Sequence, residues 1–251
     1  MFKKFYKFLN LFFILSLSLA THSFEQVIKL DLNKGDIYNY KAFVDQAKSD
    51  TKLSKIIFEF YKSNDESRYF LKTAEKISFT DIYKKNYPNG DFYYLIGDLD
   101  DTWTSSDYAR YYSVAKWLAN NGFRTIINVT AYVPDLEEAI SNPNTTALIW
   151  NSHAISDGTI RDTNKVNIDN DIFIKLRTPN LKFVLFANCY GARTARKYGL
   201  NSMNKLSVLG WDQTVTSDDL FNYLFSTDFD KTLKEAFGNA LGFRTTEKIE
   251  I

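Results

Sequence analysis

LKFVLFANCYGARTARKYG, residues 181–199, decides the fold: an apolar run of strand length passes into Asn188-Cys189-Tyr190-Gly191 and then into a segment of helical composition. A run so continuously apolar reads as a strand covered on both faces. Outward from it the same alternation repeats. Toward the N terminus come TALIW (146–150), a Pro-Asp-Leu-Glu-Glu-Ala-Ile helix stopped before Pro143, RTIINVT (124–130) and DFYYLIGD (91–98). Between the last two, Ser105 or Ser106 can cap a helix that buries Tyr111, Val114, Ala115 and Leu118. Asn121-Gly122 closes that helix, since glycine accepts the left-handed conformation at a helix end. Toward the C terminus, KLSVLG (205–210) precedes two helices, the second with an apolar stripe at Leu233, Ala236, Phe237, Ala240 and Leu241. Parallel strands need crossover connections, so this alternation predicts an α/β fold, a three-layer α/β/α arrangement with a mostly parallel central sheet. In such sheets ligands bind beyond the carboxyl ends of the strands.

The remaining chain has a different texture. Between Glu25 and Pro88 the apolar residues fall in short runs, VIKLDL (27–32), DIYNYKAF (36–43), SKIIFEFY (54–61) and KISFTDIY (76–83), separated by loop compositions. They predict a small β-rich N-terminal unit over 24–88, with the breaker Tyr87-Pro88-Asn89-Gly90 before the α/β domain of 89–251. Residues 1–23 carry Lys3, Lys4 and Lys7, an apolar run from Leu11 to Leu19, and small residues at Ser18 and Ala20, the pattern of a secretory signal peptide. The apolar run is shorter than the roughly 20 residues a stable span requires, so no membrane span is expected once the leader is removed. Removal takes three lysines and no acidic residue, lowering the formal net charge from +1 to −2, which leaves no footprint for nucleic acid. The expected location is periplasmic or secreted.

Cysteine usage narrows the chemistry. One cysteine, Cys189, excludes an internal disulfide framework, and an unpaired thiol in an oxidising compartment must be either buried or useful. A structural cysteine belongs among the apolar residues Phe183 to Phe186, whereas Cys189 lies past them, just before a predicted helix whose N-terminal partial charge favours a thiolate. The only histidine outside the leader, His153, follows Ile149-Trp150-Asn151-Ser152 at the end of another predicted strand. If those two strands are neighbours, imidazole and thiol share one edge of the sheet, as a general base and a nucleophile require.

These blocks, ALIWNSHAISDGTI, KVNIDNDIFIKL and LKFVLFANCYGARTA, resemble the caspase-like (clan CD) cysteine peptidases, the group of caspases, metacaspases, legumain, gingipains, separase and CHAT-domain proteases. The resemblance runs from about Asp91 to Gly242. It implies a caspase-like fold in which His153 and Cys189 are catalytic, with the N–H groups of Ala154 and Cys189 as the oxyanion hole and a peptide or protein as substrate. No cofactor and no metal is expected. The family usually has glycine where this chain has Ala154, and an alanine there is strained if φ is positive. That departure keeps a second reading in play, a catalytically inactive caspase-like domain that binds a protein partner.

Specificity is less legible. Relatives select a charged or amide side chain, and Asp212, in the loop after KLSVLG, is a candidate substrate-binding residue for Arg or Lys. An exposed acidic loop residue is more often only solvated. Asp157-Gly158 reads as a turn, and Arg193, Arg196 and Lys197 read as the solvated face of a helix.

Overall fold

In the computed structural model, which describes residues 25–31, 55–61, 87–99 and 105–238, every apolar run expected as a strand within those bounds is one. The strands are β1 (Glu25–Asp31), β2 (Lys55–Tyr61), β3 (Asp91–Ile96), β4 (Arg124–Asn128), β5 (Thr145–Asn151), β6 (Phe183–Ala187) and β7 (Ser207–Gly210). They form one sheet in the order β1-β2-β4-β3-β5-β6-β7. From β4 to β7 all neighbours are parallel, while β2 lies antiparallel on β4 and β1 parallel to β2. The described strands of the expected N-terminal β-rich unit are therefore continuous with the central sheet, and β2 covers the β4 edge that would otherwise be unpaired. The leader and the runs DIYNYKAF and KISFTDIY lie outside the described residues.

Helices cover both faces of the parallel strands, giving three layers. On one side α1 (Ser105–Asn120), α5 (Ser217–Leu224) and α6 (Thr227–Phe237) pack over Phe92, Tyr94, Ile149, Phe183 and Leu185. On the other, α2 (Val133–Ser141), α3 (Ile172–Leu176) and α4 (Gly191–Lys197) pack over Tyr93, Leu148, Trp150, Val184 and Phe186. Successive residues of a strand point to opposite faces, so a strand with helices on both sides reads as a nearly continuous apolar run. All five residues of β6 are buried, as its composition requires. Full burial of the Phe, Val and Leu side chains among them contributes about 1.5–3 kcal/mol each.

Local signals account for the helix ends. Tyr111, Val114, Ala115 and Leu118 of α1 are buried, and Gly122 beyond it has φ of 81°. The Asp135 carboxylate accepts the Tyr132 N–H at 2.8 Å, capping α2 at its start, and the helix ends one residue before Asn142-Pro143. Helix α6 stops at Phe237, so Ala240 and Leu241 of the expected stripe lie outside the described residues. No helix among the described residues is long and apolar enough to cross a membrane.

Candidate active site

Strands β5 and β6 are neighbours, with Asn151 opposite Ala187 at the last paired position. His153 and Cys189 each stand two residues beyond that pair, at matching positions on the carboxyl edge. The β3–β5 ladder carries His153 there: Gly97 N–H donates to the Asn151 carbonyl at 2.9 Å, and His153 N–H donates to the Asp98 carbonyl at 2.6 Å. The Ser152 hydroxyl accepts from the Trp150 indole N–H at 2.9 Å and donates to the His153 carbonyl at 2.8 Å. Backbone and buried side chains thus hold the histidine's main chain, while its side chain is exposed.

Cys189 is half-buried, and its thiol donates to the Val215 carbonyl at 3.9 Å, in the loop between β7 and α5. The next residue, Tyr190, takes a left-handed conformation (φ 59°), donates its N–H to the Gln213 carbonyl at 3.0 Å, and opens α4. Gly191 has no room for a side chain, because an added Cβ would strike the Phe186 carbonyl and crowd Gly210. The helix after the cysteine is therefore pressed against the ends of β6 and β7. Neither the Ala154 N–H nor the Cys189 N–H has a hydrogen-bond partner among the described residues. Ala154 is outside the left-handed region, so the strain expected of an alanine at positive φ does not arise.

The segment after His153 turns back on itself, with Ala154 bridged to Ile160 and Gly158 N–H donating to the Ile155 carbonyl at 2.8 Å. Asp157-Gly158 is the turn expected from its composition, closed by the Asp157 carboxylate accepting the Thr159 N–H at 2.9 Å. The turn is docked on α4. Lys197 donates to Asp157 and to the Thr159 hydroxyl, each at 2.6 Å, and Arg193 donates to the Ser156 carbonyl at 3.0 Å while lying 4.3 Å over the Tyr190 ring. The Lys197 ammonium, with the Thr159 N–H, holds the Asp157 carboxyl below the usual carboxylate range. Two of the three basic residues expected as a solvated face thus hold this turn against α4.

A buried polar link joins the same two segments. The Thr194 hydroxyl donates to the Gly158 carbonyl at 2.9 Å and accepts from the Asn188 amide at 3.0 Å, and that amide donates to the Cys189 carbonyl at 2.9 Å. Thr194 is not marked as a site residue by the sequence. It is the one hydroxyl residue of a short helix whose other residues are Gly, Ala, Arg and Lys.

Asp212 is exposed and bonded to Arg196 at 3.2 Å, a surface pair that weighs little energetically. Near it, Leu185, Leu209, Gly210, Trp211 and Tyr223 line an open cavity of about 170 Å³, with no charged side chain in its wall among the described residues. Among the described residues no three His, Cys, Asp or Glu side chains gather as metal ligands. Searches of family models and of curated proteins found nothing that matches this chain.

Proposed function

We propose that the protein is an exported caspase-like cysteine peptidase with His153 and Cys189 as its catalytic pair. The observation that carries the reading is placement: the only cysteine and the only histidine outside the proposed leader occupy matching positions beyond Asn151 and Ala187 on adjacent parallel strands. Ligands of such sheets sit at that edge.

The chemistry follows from the groups present. His153 takes the thiol proton, and the Cys189 sulfur bonds to the carbonyl carbon of a peptide. The developing oxyanion meets the unpartnered N–H groups of Ala154 and Cys189. On collapse the C–N bond breaks, the histidine returns the proton to the leaving amine, and water then releases the acid from the thioester. In the structure the thiol bonds to Val215 rather than to the imidazole. Catalytic hydrogen bonds are often long before substrate binds, and a thiol contact of 3.9 Å is weak enough to be exchanged for the imidazole on binding. Exposed Asp212 would select a basic side chain only by leaving Arg196.

One observation favours the second reading, a protein-binding domain without catalysis: the thiol lies 3.9 Å from the Val215 carbonyl as its hydrogen-bond acceptor instead of the imidazole. The deciding measurement is the pH dependence of Cys189 alkylation in wild type and in His153→Ala. A reactive pair gives a thiol that titrates below its ordinary value of about 8.5 and moves up when the histidine is lost. A profile at the ordinary value, indifferent to His153→Ala, sinks the pair. Fluorogenic peptide libraries, with Cys189→Ala as the control, then separate peptidase from binder.

A further inference from the structure

We propose that Thr194 is a positioning residue of this site, whose single hydroxyl sets the His153 turn and the Cys189 turn relative to each other. The inference rests on the His153–Cys189 reading and deepens it. Thr194 is fully buried and Asn188 nearly so, so their polar groups have no water to fall back on. The hydroxyl is used in both senses, donating to Gly158 in the turn after His153 and accepting from Asn188 beside Cys189. Asn188 passes the constraint on by donating to the Cys189 carbonyl.

Steric fit at the same point makes the link short and stiff. Gly158 has φ of +88°, and a Cβ there would lie 2.8 Å from both the Arg193 carbonyl carbon and the Thr194 nitrogen. The His153 turn thus touches α4 backbone to backbone at Thr194. Arg193 and Lys197 hold the turn from its exposed side, but both can exchange their bonds for water. Among the described residues, Thr194 and Asn188 connect it through buried groups to the Cys189 carbonyl. A hydroxyl at this place is needed because Gly158 supplies an acceptor and Asn188 supplies a donor, and only a group with both functions joins them.

The test measures Cys189 alkylation by iodoacetamide against pH in the full chain, for wild type, His153→Ala, Thr194→Val, Thr194→Ser and Asn188→Ala. Valine keeps the shape of threonine without the hydroxyl. Thr194→Val is expected to move the profile upward, in the direction of His153→Ala, and Thr194→Ser to restore it. Combining Thr194→Val with His153→Ala is expected to add nothing to His153→Ala alone, since both remove one coupling. Asn188→Ala carries the same expectation as Thr194→Val, so failure of one variant to fold leaves the other to decide. A Thr194→Val or Asn188→Ala profile that overlays wild type while His153→Ala moves it overturns the positioning role and leaves the pair standing. If His153→Ala itself moves nothing, the pair falls and this role with it.

Discussion

Gly158 and Ala154 make opposite demands on their side chains, although both lie in the turn after His153. At Gly158 the left-handed backbone and the contact with α4 both exclude a Cβ. Gly158→Ala is expected to cost about 1–3 kcal/mol, seen as a lower melting temperature; an unchanged value means that the turn is not docked as described. Ala154 has no positive φ, so a glycine there relieves nothing. Ala154→Gly should instead lower stability by roughly 0.4–1 kcal/mol through the extra freedom of the unfolded chain. A gain in stability from that substitution would contradict the backbone geometry. His153 and Cys189 were legible in the sequence because each is rare and follows an apolar run. Thr194 was not, since a threonine in a helix of seven residues carries no mark of what its hydroxyl touches.

Among the elements, α5 and α6 close one face of the sheet around Phe229. That ring is fully buried, edge-on to Phe183 of β6 at 6.0 Å and to Tyr223 at 5.5 Å, and 5.6 Å from Trp117 of α1. Phe229→Ala leaves a void shared by three helices and β6, with an expected loss of about 3–5 kcal/mol in chemical denaturation. A loss below about 1 kcal/mol would mean that the helices do not pack there. The strands β3 to β6 were readable because burial on both faces demands nearly continuous apolar runs, and the half-buried edge strand β7 because its short apolar run falls between helical segments. The joining of β1 and β2 to the sheet was not. Short runs with loops between them mark strands but do not name the strand they pair with, and the β2–β4 ladder brings together residues such as Phe58 and Ile127 far apart in the chain.

For the molecule as a whole, alkaline stability follows from two buried phenols. Burial pushes Tyr93 up to about 12, helped by the charge of Asp91, and burial likewise pushes Tyr198 up to about 12. Below pH 10 both phenols are protonated in either state and the folded protein keeps their full contribution. Above about pH 10 the unfolded chain loses these protons while the folded chain holds them, so stability falls as pH rises toward 12. The melting temperature is expected to decline over that window, and Tyr93→Phe or Tyr198→Phe to flatten the decline. A slope unchanged in both variants would show that other groups cause it.

The chain's own pattern was sufficient for the α/β class, the five parallel strands and the places of His153 and Cys189 just past two of them, because periodicity and rarity are properties of a sequence and need no partner. It was not sufficient for the neighbours of those residues. The pairing of β5 with β6, the docking of the His153 turn on α4, the Thr194 link and the resting contact of the thiol with Val215 all join segments separated in the chain. Such contacts depend on which surfaces meet when the layers close, and only the tertiary structure decides that.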